Sequence, residues 1–135
     1  MALACAESGR PKEALPEAEA HLTEAINRCR GINLVEMEPD ILLAWARWHR
    51  VSGNTPQARR DADEALAIAD RCEYRLAQAD IHNFLARLAL EDGDQKAARQ
   101  HAEIAKERAL CDGPPHCYKP ALEEAEGLLE AASAQ

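Results

Sequence analysis

Cys111, His116 and Cys117 crowd the short stretch around Gly113-Pro114-Pro115. Thiolate and imidazole are zinc ligands, and a loop can gather three of them around one ion. The spacing argues against it here. No C-x2-C pair is present, and His116 and Cys117 are adjacent, a poor arrangement for two ligands of one ion. A turn carrying free thiols explains the stretch more simply, and no metal is expected. His21, His49, His82 and His101 fall within helical patterns, with His49 and His82 at packing positions. A catalytic histidine needs a nucleophile within reach. The chain has no Gly-x-Ser-x-Gly, no phosphate-cradling glycine loop and no His-Glu-x-x-His. These residues point away from an enzyme and imply no cofactor.

The arginines are more suggestive. Arg47 and Arg87 stand forty residues apart in matching surroundings, Ala46-Arg47 and Ala86-Arg87. Guanidinium groups grip carboxylates in a bidentate fork, so a recurring pair suits a partner's C-terminus or acidic side chains. The competing arrangement is internal, with Arg47 and Arg87 paired to Asp40, Asp80 or neighbouring glutamates. Trp45 and Trp48, three apart on one helix, divide naturally into a packing residue and a possible anchor for a ligand.

What must position these groups is helix. Hydrophobic residues make up 47% of the 135, but only 4% are aromatic, and strand formers are scarce. Ala, Leu, Glu and Arg dominate, the residues that lose least on entering a helix. A formal charge of −8 repels phosphate backbones and makes nucleic acid a poor partner. No stretch approaches the roughly 20 apolar residues that span a bilayer, so no membrane role is expected. The five cysteines are irregularly spaced and odd in number, as in a cytoplasmic protein with free thiols.

Written in rows offset by forty, the chain repeats itself without a gap from Pro16 to Leu110. Asp40-Ile41 falls on Asp80-Ile81, Gly53 on Gly93, and Ala58, Ala62, Ala65 and Ala69 on Ala98, Ala102, Ala105 and Ala109. A fixed period in this range marks an array of repeats. Apolar positions three and four apart place two helices in each period. Helices are expected near 2–8, 13–30, 37–52, 56–72, 75–92, 95–110 and 119–133, seven in all. Gly53 and Gly93 suit the left-handed position beyond a helix end. Thr55-Pro56 reads as a cap and first-turn proline, and Asp94 as the equivalent cap. Gly31, Glu73 and the "CDGPP" run mark the other joints; Glu73 has neither Gly nor Pro beside it. The repeated alanines allow two helices to approach closely, with Ala46 against Ala58 and Ala86 against Ala98 as contact points.

These columns resemble the tetratricopeptide repeat family. Its small eighth position and its alanines at the twentieth and twenty-seventh fall on Ala46, Ala58 and Ala65, then on Ala86, Ala98 and Ala105. Its bulky fourth and seventh positions fall on Leu42 and Trp45, then His82 and Leu85. The resemblance covers roughly residues 1 to 110. The usual aromatic at the twenty-fourth position is instead Ala62 or Ala102, and the period is forty rather than ~34. Longer repeats of this sort look like those of kinesin light chains and of signalling ATPases related to the maltose regulator.

The resemblance implies an all-α superhelix of helical hairpins, a solenoid, whose first helices line a concave groove. Groove positions would be Asp40, Leu43, Arg47, Arg50 and Val51, then Asp80, Asn83, Arg87, Leu90 and Glu91. Asn83 would bond a peptide backbone and Trp48 would anchor a side chain. The family's carboxylate clamp, built from Lys and Asn, is not matched. The implied function is a protein interaction scaffold that binds a peptide or helix. The alternative is a sensor or spacer region of a multidomain signalling ATPase or transcription regulator.

As one repeat domain over 1–135, the chain divides into a partial repeat at 1–35, full repeats at 36–72 and 73–112, and a last helix at 117–135. Ala2, Cys5 and Gly9 occupy the columns of Ala46, His49 and Gly53, with an extra turn near Pro16. Such a start inside a repeat suggests a piece of a longer array, and an open edge at Leu3 that a homodimer would cover. In the last helix Leu122, Ala125, Leu128, Leu129 and Ala132 form one face and Glu123, Glu124, Glu126 and Glu130 the other, the pattern of a cap that ends a stack.

Overall fold

The structure, a computed structural model, describes residues 11–31, 37–111 and 117–134; of residues 11–15 and 134 only the backbone is described. Six helices and no strand occur among the described residues: α1 (Pro11–Gly31), α2 (Glu38–Val51), α3 (Thr55–Cys72), α4 (Arg75–Glu91), α5 (Gln95–Leu110) and α6 (Lys119–Ala134). The expected helix at 2–8 and the edge at Leu3 lie outside the described residues. No helix among the described residues is long and apolar enough to cross a membrane. The chain forms two compact units, Met1–Ile68 and Ala69–Gln135, with the division inside α3.

The joints show why the forty-residue period folds as it does. After α2, the N–H of Asn54 donates to His49 O (2.8 Å) and that of Gly53 to Arg50 O (3.2 Å). After α4, Asp94 donates to Ala89 O (2.8 Å) and Gly93 to Leu90 O (3.1 Å). This is the Schellman pairing, which satisfies the last carbonyls of a helix and requires a left-handed residue between the two donors. Gly53 and Gly93 take that position at φ 91° and 80°. The next residue then caps the following helix. Asp94 Oδ1 accepts from Ala97 N (3.1 Å), and Asn54 Oδ1 accepts from Gln57 N (3.3 Å). The cap of α3 is therefore Asn54 rather than Thr55, which is already helical. With Pro56 one residue further on, the proline still falls in the first turn, where its missing N–H costs nothing.

The joint at Glu73 uses the same turn without glycine. Tyr74 N donates to Ala69 O (2.9 Å) and Glu73 N to Asp70 O (3.4 Å), with Glu73 at φ 55°. Pro16 lies inside α1, two residues further from its start than an expected beginning at 13 would place it, since the helix begins at Pro11.

In the first unit the core comes from Ala18, Ile26 and Cys29 of α1, Leu42, Leu43 and Ala46 of α2, and Ala58, Ala62 and Ala65 of α3. Arg30, at the end of α1, ties the three helices at their surface through Glu38 (2.8 Å) and Glu64 (3.1 Å). Burial, and next Glu38, push the Cys29 thiol up, so it stays protonated.

In the second unit three clusters of buried residues define the packing. Ala79 meets Ala109 and Ala121; Ala86 meets Ala102 and Leu128; Ala89 meets Ala98 and Ala132. Along α4 the partner residues descend in α5 and ascend in α6. Hence α5 runs antiparallel to α4, and α6 runs parallel to it. The expected contact of Ala86 with Ala98 is one turn out of register. The short joint at 92–94 fixes the pairing, so Ala98 meets Ala89 and Ala86 meets Ala102. On α6, Ala121, Ala125, Leu128 and Ala132 are buried, while Glu123, Glu126 and Glu130 face solvent.

Candidate functional site

Each unit carries part of the charged surface read from the sequence. In the first, α2 presents Asp40, Arg47 and Arg50 from positions three and seven apart, which a helix brings to one side. Asp40 is exposed and Arg47 and Arg50 half-buried. The surrounding protein pushes the Asp40 carboxyl up, and the Arg47 charge pulls it back down. Leu43 does not join them. At 4% exposure it belongs to the core and offers a ligand no surface.

Trp48 is half-buried within an aromatic group on the same helix. Its ring meets Trp45 edge to face (centroids 5.6 Å, 81°) and His49 likewise (5.0 Å, 81°), while Trp45 stacks on His49 (5.4 Å, 23°). His49 Nδ1 lies 2.6 Å from Asp61 Oδ2 on α3, and Gln57 Nε2 donates to Asp61 Oδ1 (3.0 Å). The imidazole is thus fixed by a carboxylate below and a ring on its face. The pair ties α2 to α3, with both tryptophan rings against the imidazole.

In the second unit the expected groove positions of α4 turn to α6. Asp80 Oδ2 accepts from the Tyr118 hydroxyl (3.1 Å), Asn83 Nδ2 donates to Ala121 O (3.0 Å), and Arg87 Nη2 pairs with Glu124 Oε1 (3.0 Å). Asn83 is 0% exposed and acts as an interhelical tie rather than as a peptide contact. Its Oδ1 has no partner among the described residues. Arg87 remains exposed over nearly half its side chain, so its pair with Glu124 is open to exchange. A partner 37 positions away on the next helix is invisible to a local reading, which is why the sequence left the choice between ligand and ladder open.

A polar depression of about 710 Å³ lies elsewhere in this unit, where the last turns of α3 and α5 meet the first turn of α4. Arg75 Nε and Nη2 donate to the carbonyls of Arg108 and Glu107 (3.2 Å each), capping α5. Gln78 Nε2 donates to Asp70 Oδ1 (2.9 Å). Behind them His82 and His101 meet Nδ1 to Nδ1 at 3.0 Å, so one donates and the other accepts. Burial, then the neighbouring His101, lower His82 to about 4. Nothing in the separate positions of these residues announces the depression; only the hairpin brings α3, α4 and α5 ends together.

Cys29, Cys72, Cys111 and Cys117 form no disulfide among the described residues. His116 lies outside the described residues, and no group of three metal-ligating side chains occurs among those described. Comparison with family models, with curated proteins and with solved structures gives no match.

Proposed function

We propose that this protein is a helical-repeat interaction module that binds a peptide or helix of a partner protein, with Arg47, Arg50 and Arg87 as its charged contacts and Trp48 as an apolar anchor. One observation carries the proposal: the same joint, with its glycine, its side-chain cap and its four-atom pairing, is built twice at an interval of forty residues. Arg47 and Arg87 occupy the same place in the two copies. Repetition presents one chemical group at regular intervals, which suits an extended ligand better than a small substrate. In this proposal the hairpins stack as a tetratricopeptide-like superhelix, and Leu43 and Asn83 support the face from within.

The bidentate fork of arginine selects carboxylates, so the partner segment is acidic. The overall charge of −8 works against such a ligand at long range. Affinity must then come from close contacts.

The pairs Arg87–Glu124 and Arg30–Glu64 favour a second proposal, a spacer or sensor region of a larger signalling protein whose charges serve its own stability. A titration of the full chain with a glutamate-rich labelled peptide, followed by Trp48-dependent emission and by anisotropy, separates the two. Binding module behaviour is saturable binding of the acidic peptide and none of its lysine counterpart. Equal response to both peptides, or to neither, rejects the arginine face.

A further inference from the structure

We propose that Cys111 and Cys117 form a dithiol site, which a low-molecular-weight disulfide such as oxidised glutathione converts to an intramolecular disulfide that staples the end of α5 to the start of α6. The site shares no residue with the arginine face and goes beyond the interaction-module proposal, so either can fail alone.

Two hydrogen bonds bring the pair together. The Cys111 thiol donates to Arg108 O (3.4 Å), and the N–H of Tyr118, the residue after Cys117, donates to Ala109 O (2.7 Å). Arg108 and Ala109 are consecutive in the last turn of α5, so their carbonyls stand side by side. In a longer helix Ala109 O would accept from the residue four positions on. The Tyr118 N–H takes that carbonyl instead. Cys117, one residue back, is thereby held at the last turn of α5, where the Cys111 sulfur also sits. Cys111 itself is left-handed at φ 50° and ends the helix. A disulfide needs Cα atoms within about 7 Å of each other, and anchorage to adjacent carbonyls keeps the two residues at that order of separation. Both side chains are half-buried, so a small disulfide reaches them, whereas Cys29 is 4% exposed.

The exchange runs in two steps. One thiolate attacks a sulfur of glutathione disulfide and releases one glutathione, leaving a mixed disulfide on the protein. The second thiolate attacks the protein sulfur of that bond, closes the Cys111–Cys117 bond and releases the second glutathione. Two protons and two electrons pass from the protein to the glutathione, and excess glutathione reverses both steps. The Tyr118 hydroxyl also donates to Asp80 Oδ2 (3.1 Å), so the staple fixes the start of α6 beside α4 as well as α5.

The test equilibrates the full chain with mixtures of reduced and oxidised glutathione, quenches with acid, alkylates with N-ethylmaleimide and maps the tryptic peptides by mass. Trypsin spares the Lys119–Pro120 bond, so residues 109–135 form one peptide holding both thiols. Oxidation should leave this peptide unalkylated and lighter by two hydrogens. The effective concentration of one thiol for the other should be at least about tenfold higher in the folded chain than in the same chain in urea. Cys111→Ser and Cys117→Ser should each stop at the mixed disulfide with glutathione, and Cys72→Ser should leave the effective concentration unchanged. The melting temperature of the oxidised chain should equal or exceed that of the reduced one. Mixed disulfides alone in the parent chain, a link from Cys72 to the 109–135 peptide, an effective concentration no higher than in urea, or a melting temperature lowered by oxidation would overturn the proposal.

Discussion

Glu73 and Gly93 close the same turn. Each is the left-handed residue of a Schellman pairing, at φ 55° and φ 80°, and only one of them is glycine. A side chain in this conformation costs ~1–2 kcal/mol, partly offset by the lower chain entropy that it imposes on the unfolded state. Glu73→Gly should therefore stabilise the protein by ~0.5–1 kcal/mol. Gly93→Ala should destabilise it by about 1 kcal/mol, through the backbone alone, because a Cβ there meets nothing within 4 Å. Urea midpoints of the two variants should move in opposite directions.

Asp94 accepts from Ala97 N at the start of α5. Replacing it with Ala leaves that N–H without a side-chain acceptor and should cost ~1 kcal/mol. Asp94→Asn, which keeps the oxygen, should cost less than half as much in the same denaturation experiment.

Ala102 is fully buried between Ala86 and Leu128. Ala102→Leu adds atoms where three helices are closest and should cost ~1–3 kcal/mol by overpacking. Ala97→Leu, at a half-buried position of the same helix, should change the melting temperature far less.

His82 faces His101 and Arg108 from α5 and Asp70 from α3, and is lowered to about 4 from 6.5. The unfolded chain binds the proton more readily than the folded one, so stability is complete above pH 6.5 and is lost as pH falls towards 4. The loss attributable to this ring is up to ~3 kcal/mol. His82→Gln should flatten the difference between urea midpoints at pH 7.5 and 4.5 relative to the parent; an unchanged difference would place the acid sensitivity elsewhere.

Much of the helix pattern is legible because its punctuation is local. Gly53, Gly93 and Asp94 act within four residues of themselves, so their types already state the turn and the cap. Glu73 adopts the same geometry with no glycine to announce it. Alanine columns foretell burial, but not which alanine meets which, since that depends on the length of the joint at 92–94. The site was less legible for a similar reason. Asn83 and Leu43 look like surface positions by count, yet Asn83 is tied to Ala121, 38 residues on, and Leu43 lies in the core of the first unit, while the depression beside His82 exists only after three helix ends converge.

Arg87 and Glu124 are both substantially exposed, so their pair contributes under ~1 kcal/mol. Glu124→Gln should leave the melting temperature nearly unchanged. It should also tighten binding of an acidic peptide several-fold, because the internal competitor for Arg87 is gone.

The most direct measurement is the affinity of the glutamate-rich peptide for Arg47→Ala, Arg87→Ala beside a control, Arg59→Ala, Arg60→Ala, which removes equal charge from α3. An arginine face that recognises the partner predicts at least a tenfold loss in the first variant and almost none in the second, with helicity equal in both. Unchanged affinity in the first, or an equal loss in the two, would contradict it.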